Sequence, residues 1–150
     1  MNTELALEKI KTYCAYQERC HIEVVDKLYK LGLHKNEVNE VLLSLMQEDF
    51  LNEERYAEAY VSGKFRIKKW GRVKIKAELK FKKISEYCIK KGLDQIEEEE
   101  YLETLKYWIE RREKSSTEKN EFKRKGKIAS FLISKGFESW LVWEELNRES

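Results

Sequence analysis

The side chains able to do covalent or metal chemistry are few. Cys14, Cys20 and His21 stand close together, but three ligand types at this spacing match no structural-zinc pattern and no clear fourth ligand follows nearby. The two cysteines read more simply as buried small apolar side chains, and His34 as part of a turn or an early helix surface. Asp49 with Glu53, and Asp94 with Glu97, set carboxylates about one turn apart. Acid–base chemistry needs such groups held in a dry, positioned environment, and helix capping explains both pairs more economically. There is no glycine-rich phosphate loop, metalloprotease signature or serine nucleophile elbow. No catalytic residue, no metal site and no cofactor are expected, and the chain does not read as an enzyme.

Chemistry by charge is far better represented. Ten basic residues lie between positions 64 and 83: Lys64, Arg66, Lys68, Lys69, Arg72, Lys74, Lys76, Lys80, Lys82 and Lys83. The only acid among them is Glu78. Ile75 and Leu79, one turn apart, should face inward, leaving Lys69, Arg72, Lys76, Lys80 and Lys83 to share much of an outward face. Crowding like charges opposes folding, an expense that a partner's phosphates or carboxylates would offset. The alternative is a solvated helix surface. A second basic block, Arg111, Arg112 and Lys114, then Lys119, Lys123, Arg124, Lys125 and Lys127, brackets the polar turn Ser115-Ser116-Thr117. It reads equally as a second anchor and as a soluble turn.

Acids gather in separate blocks. Glu37, Glu40, Glu48, Asp49, Glu53, Glu54 and Glu58 form one, and Asp94, Glu97, Glu98, Glu99 and Glu100 another. They can neutralise the basic helix or meet a basic surface on another protein. This alternation favours an assembly of protein with nucleic acid over simple coating of a duplex. Trp70, beside Gly71, has two open readings: stacking on a base, or packing across a helix start. Tyr56 with Tyr60, and Tyr101 with Leu105 and Trp108, read as structural contacts. Trp140 and Trp143 could cap the final unit, with part of one indole left for a partner.

The elements that must position these residues are helices. Of 150 residues, 39% are charged and 41% hydrophobic, with no proline and six glycines, which suits a thin core built from many helix formers. The formal net charge of +2 excludes no partner class. No apolar run approaches the roughly 20 residues that cross a bilayer. The first residues, with Glu4 and Glu8, do not read as a signal peptide, and three unpaired cysteines argue against a disulfide-stapled secreted module. A cytoplasmic location is expected. Apolar residues recur at spacings of three and four: Val24, Leu28 and Leu31; Val38, Leu42 and Leu45; Ile75 and Leu79; Leu105 and Trp108; Ile128 and Leu132.

Gly32, Gly92 and Gly136, each followed by an apolar residue, predict left-handed helix ends. Asn52 predicts a helix start, and Asp94 with Glu97 a capping box. Val24 and Leu28 recur as Ile75 and Leu79 and again as Ile128 and Leu132, with Leu33, Ile84 and Phe137 at matching offsets. A period near 50 residues has room for three helices. The spacing predicts helices over 4–17, 21–31, 36–48, 53–68, 71–82, 85–91, 97–114, 120–135 and 138–147. The fold class is all-α, an elongated, curved, monomeric array of three tandem three-helix units, 1–50, 51–93 and 94–150.

At Phe50-Leu51-Asn52-Glu53-Glu54-Arg55-Tyr56-Ala57, continuing through Ala59-Tyr60-Val61, the chain resembles the bacterial RecX family of regulatory proteins. The resemblance continues at Trp70-Gly71 and Arg72, then at Ile75, Leu79 and Ile84. Lys83 departs from it, at a position where the family commonly carries glycine. The resemblance implies tandem three-helix units and a non-enzymatic modulator, mainly negative, of the RecA recombinase. Such a protein fits along the groove of the RecA–DNA filament and limits filament growth, strand exchange and the accompanying ATP hydrolysis. It implies as partners the RecA filament and single-stranded or RecA-bound DNA, and a place in recombinational repair and the DNA-damage response. The basic residues from Lys64 to Lys83, together with Lys123, Arg124, Lys125 and Lys127, would then face DNA or acidic RecA surfaces. A general helical nucleic-acid-binding module and a helical adaptor are the competing readings.

Overall fold

In the computed structural model residues 2–148 are described, and among them the chain forms nine α-helices and no strand. They are α1 (Thr3–Tyr16), α2 (His21–Lys30), α3 (Lys35–Gln47), α4 (Glu53–Arg66), α5 (Arg72–Phe81), α6 (Glu86–Leu93), α7 (Glu98–Ser115), α8 (Glu121–Ser134) and α9 (Ser139–Arg148). Each helix expected from the spacing is present, with ends displaced by no more than about two residues, the ordinary uncertainty of a helix terminus. The outermost positions of the first and third expected units, 1 and 149–150, lie outside the described residues.

Two compact bodies divide the chain. One is built from the N-terminal residues through Tyr60 together with Leu79–Gly92, the other from Val61–Glu78 with the residues from Leu93 onward, so α4 and α5 contribute to both. In the first body Ala6, Ile10 and Cys14 of α1, Val24 and Leu28 of α2, and Val38, Val41 and Leu45 of α3 bury their side chains in one cluster. The recurrence at three and four residues makes this possible, because it sets one stripe of each helix toward its neighbours. The second body is cored by Phe65, Ile75, Tyr101, Leu105, Ile109, Ile128, Leu132, Phe137 and Val142, all buried.

Helix starts rest on local hydrogen bonds. Asn52 Oδ1 accepts from the Arg55 N–H at 2.9 Å, the cap that its position predicts. Two starts have signatures the sequence reading passed over: Glu23 accepts from the Cys20 N–H at 3.0 Å, and Glu37 from the His34 N–H at 2.9 Å. These are the return half of a capping box. The other expected cap, Asp94 with Glu97, is corrected. The residue before α7 is Glu97, not Asp94, and Glu97 makes no side-chain cap bond.

Helix ends follow one repeated design. The N–H of Leu33 reaches the carbonyl of Leu28, that of Ile84 the carbonyl of Leu79, and that of Phe137 the carbonyl of Leu132, at 3.1–3.3 Å. The residue before each of the three takes positive φ: Gly32 at 93°, Lys83 at 61° and Gly136 at 100°. The apolar residue that follows is buried against the last turn. Lys83 adopts the left-handed turn itself, at the position where the resemblance expects glycine. Gly92, by contrast, is buried inside α6 and ends no helix at its own position. Its apolar successor, Leu93, is still helical.

Candidate nucleic-acid interface

Arg72 opens α5 and does not lie on an open face. Its Nε donates to Glu138 at 2.9 Å and its Nη1 to Glu98 at 2.7 Å, while the guanidinium lies 3.8 Å from the ring centroid of Tyr101. The backbone N–H of Arg72 donates to the Tyr101 hydroxyl at 3.0 Å, and that hydroxyl donates to Glu138. Tyr101 is fully buried, its ring flanked by Phe65 and Phe137 at 5.8 and 5.2 Å between centroids. Burial, then the hydrogen bond to Glu138, pushes its hydroxyl pKa above the ordinary tyrosine value. Arg72 therefore ties α5 to α7 and to the start of α9 within the second body, and the outward face expected of it is corrected on that ground.

A close backbone approach holds the same corner. Gly71 N–H donates to the Lys135 carbonyl at 2.8 Å, and Val73 N–H to the Gly136 carbonyl at 2.9 Å. A Cβ on Gly71 would stand 2.3 Å from the Gly136 carbonyl carbon, and one on Gly136 would stand 2.4 Å from Lys74 Cβ. The start of α5 can meet the turn after α8 only because both positions lack a side chain. Trp70, half-buried, has the Lys64 and Lys74 ammonium groups at 4.9 and 4.2 Å from its ring.

The remaining basic residues sort by partner. Arg66 pairs with Glu100 at 3.3 Å, Lys80 with Glu86 at 3.6 Å, and Lys82 lies 5.9 Å from the Tyr60 ring. Lys69 takes positive φ, accepts from Trp108 Nε1 through its carbonyl at 2.9 Å, and sets its ammonium 5.0 Å from the Tyr107 ring. On α8, Arg124 pairs with Glu113 at 2.9 Å, Lys125 with Glu121 at 3.4 Å and Lys127 with Glu118 at 3.2 Å. Lys68, Lys76, Lys83 and Lys123 are exposed. They are the sequence-selected cations whose side chains neither an acid nor an aromatic ring engages among the described residues.

The acidic blocks are in part internal counter-charge. Glu98 and Glu100 meet Arg72 and Arg66. In the first body Glu48 meets Lys11, Glu54 meets Lys91, and Asp49 meets Arg55, whose Nη2 also donates to the Asp49 carbonyl at 2.9 Å. Cys14, Cys20 and Cys88 are buried, and burial raises the thiol pKa of the first two, the opposite of what a reactive thiolate needs. Among the described residues no group of His, Cys, Asp and Glu is arranged to hold a metal, and no helix is long and apolar enough to cross a membrane.

In the later half of α7 the structure sets Tyr107, which the sequence analysis did not single out, beside the basic residues already noted there. Tyr107 is 41% exposed, and Arg111 and Lys114 share its face at helical spacing. Arg112 sets its guanidinium 3.9 Å from the Phe131 ring centroid. The signal was present as Tyr107, Arg111 and Lys114 at i, i+4 and i+7, obscured by Leu105 and Trp108 on the neighbouring stripe.

Comparison with known proteins bears on this arrangement directly. Family models for the RecX second and third three-helix domains match residues 52–93 and 98–146. The chain is 27% identical over 141 residues to the regulatory protein RecX of Bacillus cereus strain B4264, covering 92% of this chain and 52% of that protein. Over 126 residues it is 27% identical to its counterpart in Bacillus thuringiensis strain Al Hakam, covering 84% and 47%. It thus spans about half the length of the curated relatives it matches. A crystal structure of regulatory protein RecX superposes with a TM-score of 0.87 at 25% identity, over 97% of this chain and 73% of that one. RecX from Lactobacillus salivarius gives 0.78 at 25%, over 97% and 96%. With two successive three-helix units matched and the fold shared along nearly its whole length, this all-helical chain belongs to the RecX family of regulatory proteins.

Proposed function

We propose that the protein is a non-enzymatic regulator, chiefly a negative one, of the RecA recombinase. It binds the RecA–DNA filament and limits filament growth, strand exchange and the accompanying ATP hydrolysis. The observation that carries this reading is the match of two successive three-helix units to RecX domains. Charge placement supports it. Lys68, Lys76, Lys83 and Lys123 stand exposed and, among the described residues, free of acids, where phosphates or acidic protein surfaces can meet them, and desolvating them there sacrifices no ion pair with those residues. Lys64, Lys69, Lys74, Lys80, Lys82, Lys125 and Lys127 are secondary contacts, while Arg66, Arg72 and Arg124 mainly hold the scaffold. The units act as 1–50, 51–93 and 94–150, in a monomer working in the cytoplasm with no cofactor.

The test is titration of the purified protein into RecA strand-exchange and single-strand-dependent ATPase assays, with DNA-free and RecA-free controls. Both activities should fall as the protein is added. Unchanged RecA activity at saturating protein, with DNA binding retained, would instead assign a general nucleic-acid-binding module.

A further inference from the structure

We infer that the later half of α7 is a docking stripe for single-stranded nucleic acid, with Tyr107 as its stacking platform and Arg111, Lys114 and Arg112 as its phosphate contacts. The inference rests on the nucleic-acid side of the proposed function, and it assigns residues outside the basic segments to which that function is attached.

Two openings on the second body carry it. One, of about 210 Å³, is lined by Tyr107, Glu110, Arg111 and Lys114. The other, also about 210 Å³, lies at the end of the same helix, lined by Arg112, the hydroxyl-bearing Ser115, Ser116 and Thr117, and by Glu118 and Lys127. Each has room for several waters, enough to admit a base or a phosphate group. Their reference positions, Tyr107 and Ser115, are separated by about 12 Å of helix rise. A strand running along the helix could therefore use both.

The chemistry is that of a single-strand groove: an aromatic face with cations around it. Trp108 meets Tyr107 edge-on, with ring centroids 5.6 Å apart, and holds the phenol in place. Arg111 lies 5.9 Å from the Tyr107 ring centroid, and its Nη1 donates to the Tyr107 hydroxyl at 3.4 Å. Positions 107, 111 and 114 share one helix face and 108, 112 and 115 the next. Arg112 holds its guanidinium 3.9 Å from the Phe131 ring centroid, which keeps it pre-organised for a phosphate.

Two acids line these openings and are accounted for. Glu110 pairs with Lys114 at 3.0 Å with both side chains at least 70% exposed, a pair weak enough for a phosphate to displace. Glu118 engages Lys127 and so leaves Arg112 as the cation of the second opening. The strand must be single because every unpaired base offers a π face to Tyr107, whereas a duplex keeps its faces stacked.

The test is fluorescence anisotropy with a short labelled oligothymidylate and no RecA present, on the full chain. Tyr107→Leu keeps apolar volume and removes the ring; it should weaken binding about fivefold or more. Arg111→Gln with Lys114→Gln should lower the slope of log affinity against log salt by about 1.4. The charge-matched control, Lys9→Gln with Lys35→Gln on the first body, should leave that slope unchanged. Circular dichroism checks folding for each variant. The inference is overturned if the folded Tyr107→Leu protein binds as tightly as the parent, if the control loses as much slope as the α7 variant, or if the parent does not bind the oligonucleotide. It is equally overturned if an acidic peptide binds this stripe and the oligothymidylate does not displace it. RecA ATPase inhibition measured in parallel separates the two readings. Inhibition without oligonucleotide binding sinks the stripe and leaves RecA regulation standing; binding lost on Tyr107→Leu, in a protein without effect on RecA, does the reverse.

Discussion

Arg72 and Lys76 stand one turn apart on α5, yet a charge-neutral change at each should have opposite consequences. Arg72→Gln would remove both ion pairs and the guanidinium face over Tyr101, leaving the half-buried Glu138 without its cation. A loss of about 2 kcal/mol in unfolding free energy is expected. Lys76→Gln alters an exposed side chain and should stay within about 0.5 kcal/mol. Urea midpoints for the two variants decide the matter, and equal midpoints would show that the Arg72 constellation contributes little. Tyr101 adds a pH dependence. Its pKa and that of the buried Tyr56 are both raised, in each case chiefly by burial. In the unfolded chain both phenols ionise near pH 10 while the folded chain retains their protons. Their contribution is therefore complete below about pH 10 and is lost as pH rises beyond it, at about 1.4 kcal/mol per pH unit for each. Tyr101→Phe should cost about 1 kcal/mol at neutral pH through its lost hydrogen bonds, and remove one such increment from the alkaline slope.

At the scale of the element, the turn after each repeat's second helix reaches one geometry with two different residues. Gly32 and Gly136 adopt positive φ without a Cβ penalty; Lys83 adopts it with one. Lys83→Gly should therefore stabilise the chain by about 0.5–1 kcal/mol, seen as a raised urea midpoint at unchanged m-value. A fall in midpoint would mean that the lysine side chain has a structural role here. Gly71→Ala should act in the other direction. Its Cβ would collide with the backbone of Gly136 and Phe137, which cannot swing aside, and a loss of about 1–3 kcal/mol is expected. In the resembling motif, Arg55, Trp70, Gly71 and Arg72 all make scaffold contacts: Arg55 grips the turn at Asp49, the Trp70 N–H donates back to the Lys64 carbonyl at the end of α4, and Gly71 and Arg72 build the corner where α5 meets α7 and the turn after α8. A motif can therefore identify the family while its most recognisable residues hold the fold.

For the molecule as a whole, deletion and charge removal should be read differently. Truncation after Lys114 takes away Ile128, Leu132, Phe137 and Val142 from the core of the second body, together with Glu138. That body should lose cooperative folding, and the loss should appear in circular dichroism before any binding assay is interpreted. Replacing Lys68, Lys76, Lys83 and Lys123 by glutamine removes charge without removing core. Helical content should be kept, while the slope of log affinity against log salt for filament or DNA binding falls by about 0.7–0.9 for each phosphate that is no longer neutralised. An unchanged slope would assign these lysines to solvation alone.

Helices and their order were legible in the sequence because apolar residues at three and four positions, in a chain without proline, leave few other ways to bury a stripe such as Val24 and Leu28. The helix ends at Gly32 and Gly136 were legible for a similar reason, since glycine tolerates the left-handed turn. Gly92 misled because a glycine can also be accommodated within a helix, where it is buried in α6. The division of the cations was not legible at all. Arg72 and Lys76 look alike along the chain, and only folding brings Glu98, from 26 residues away, and Glu138, from 66 residues away, onto one of them. Local spacing determines which face a side chain occupies. Which acid, ring or solvent waits on that face depends on chain segments far away in sequence, and so only the tertiary structure decided which cations are committed to the fold and which stay exposed to solvent.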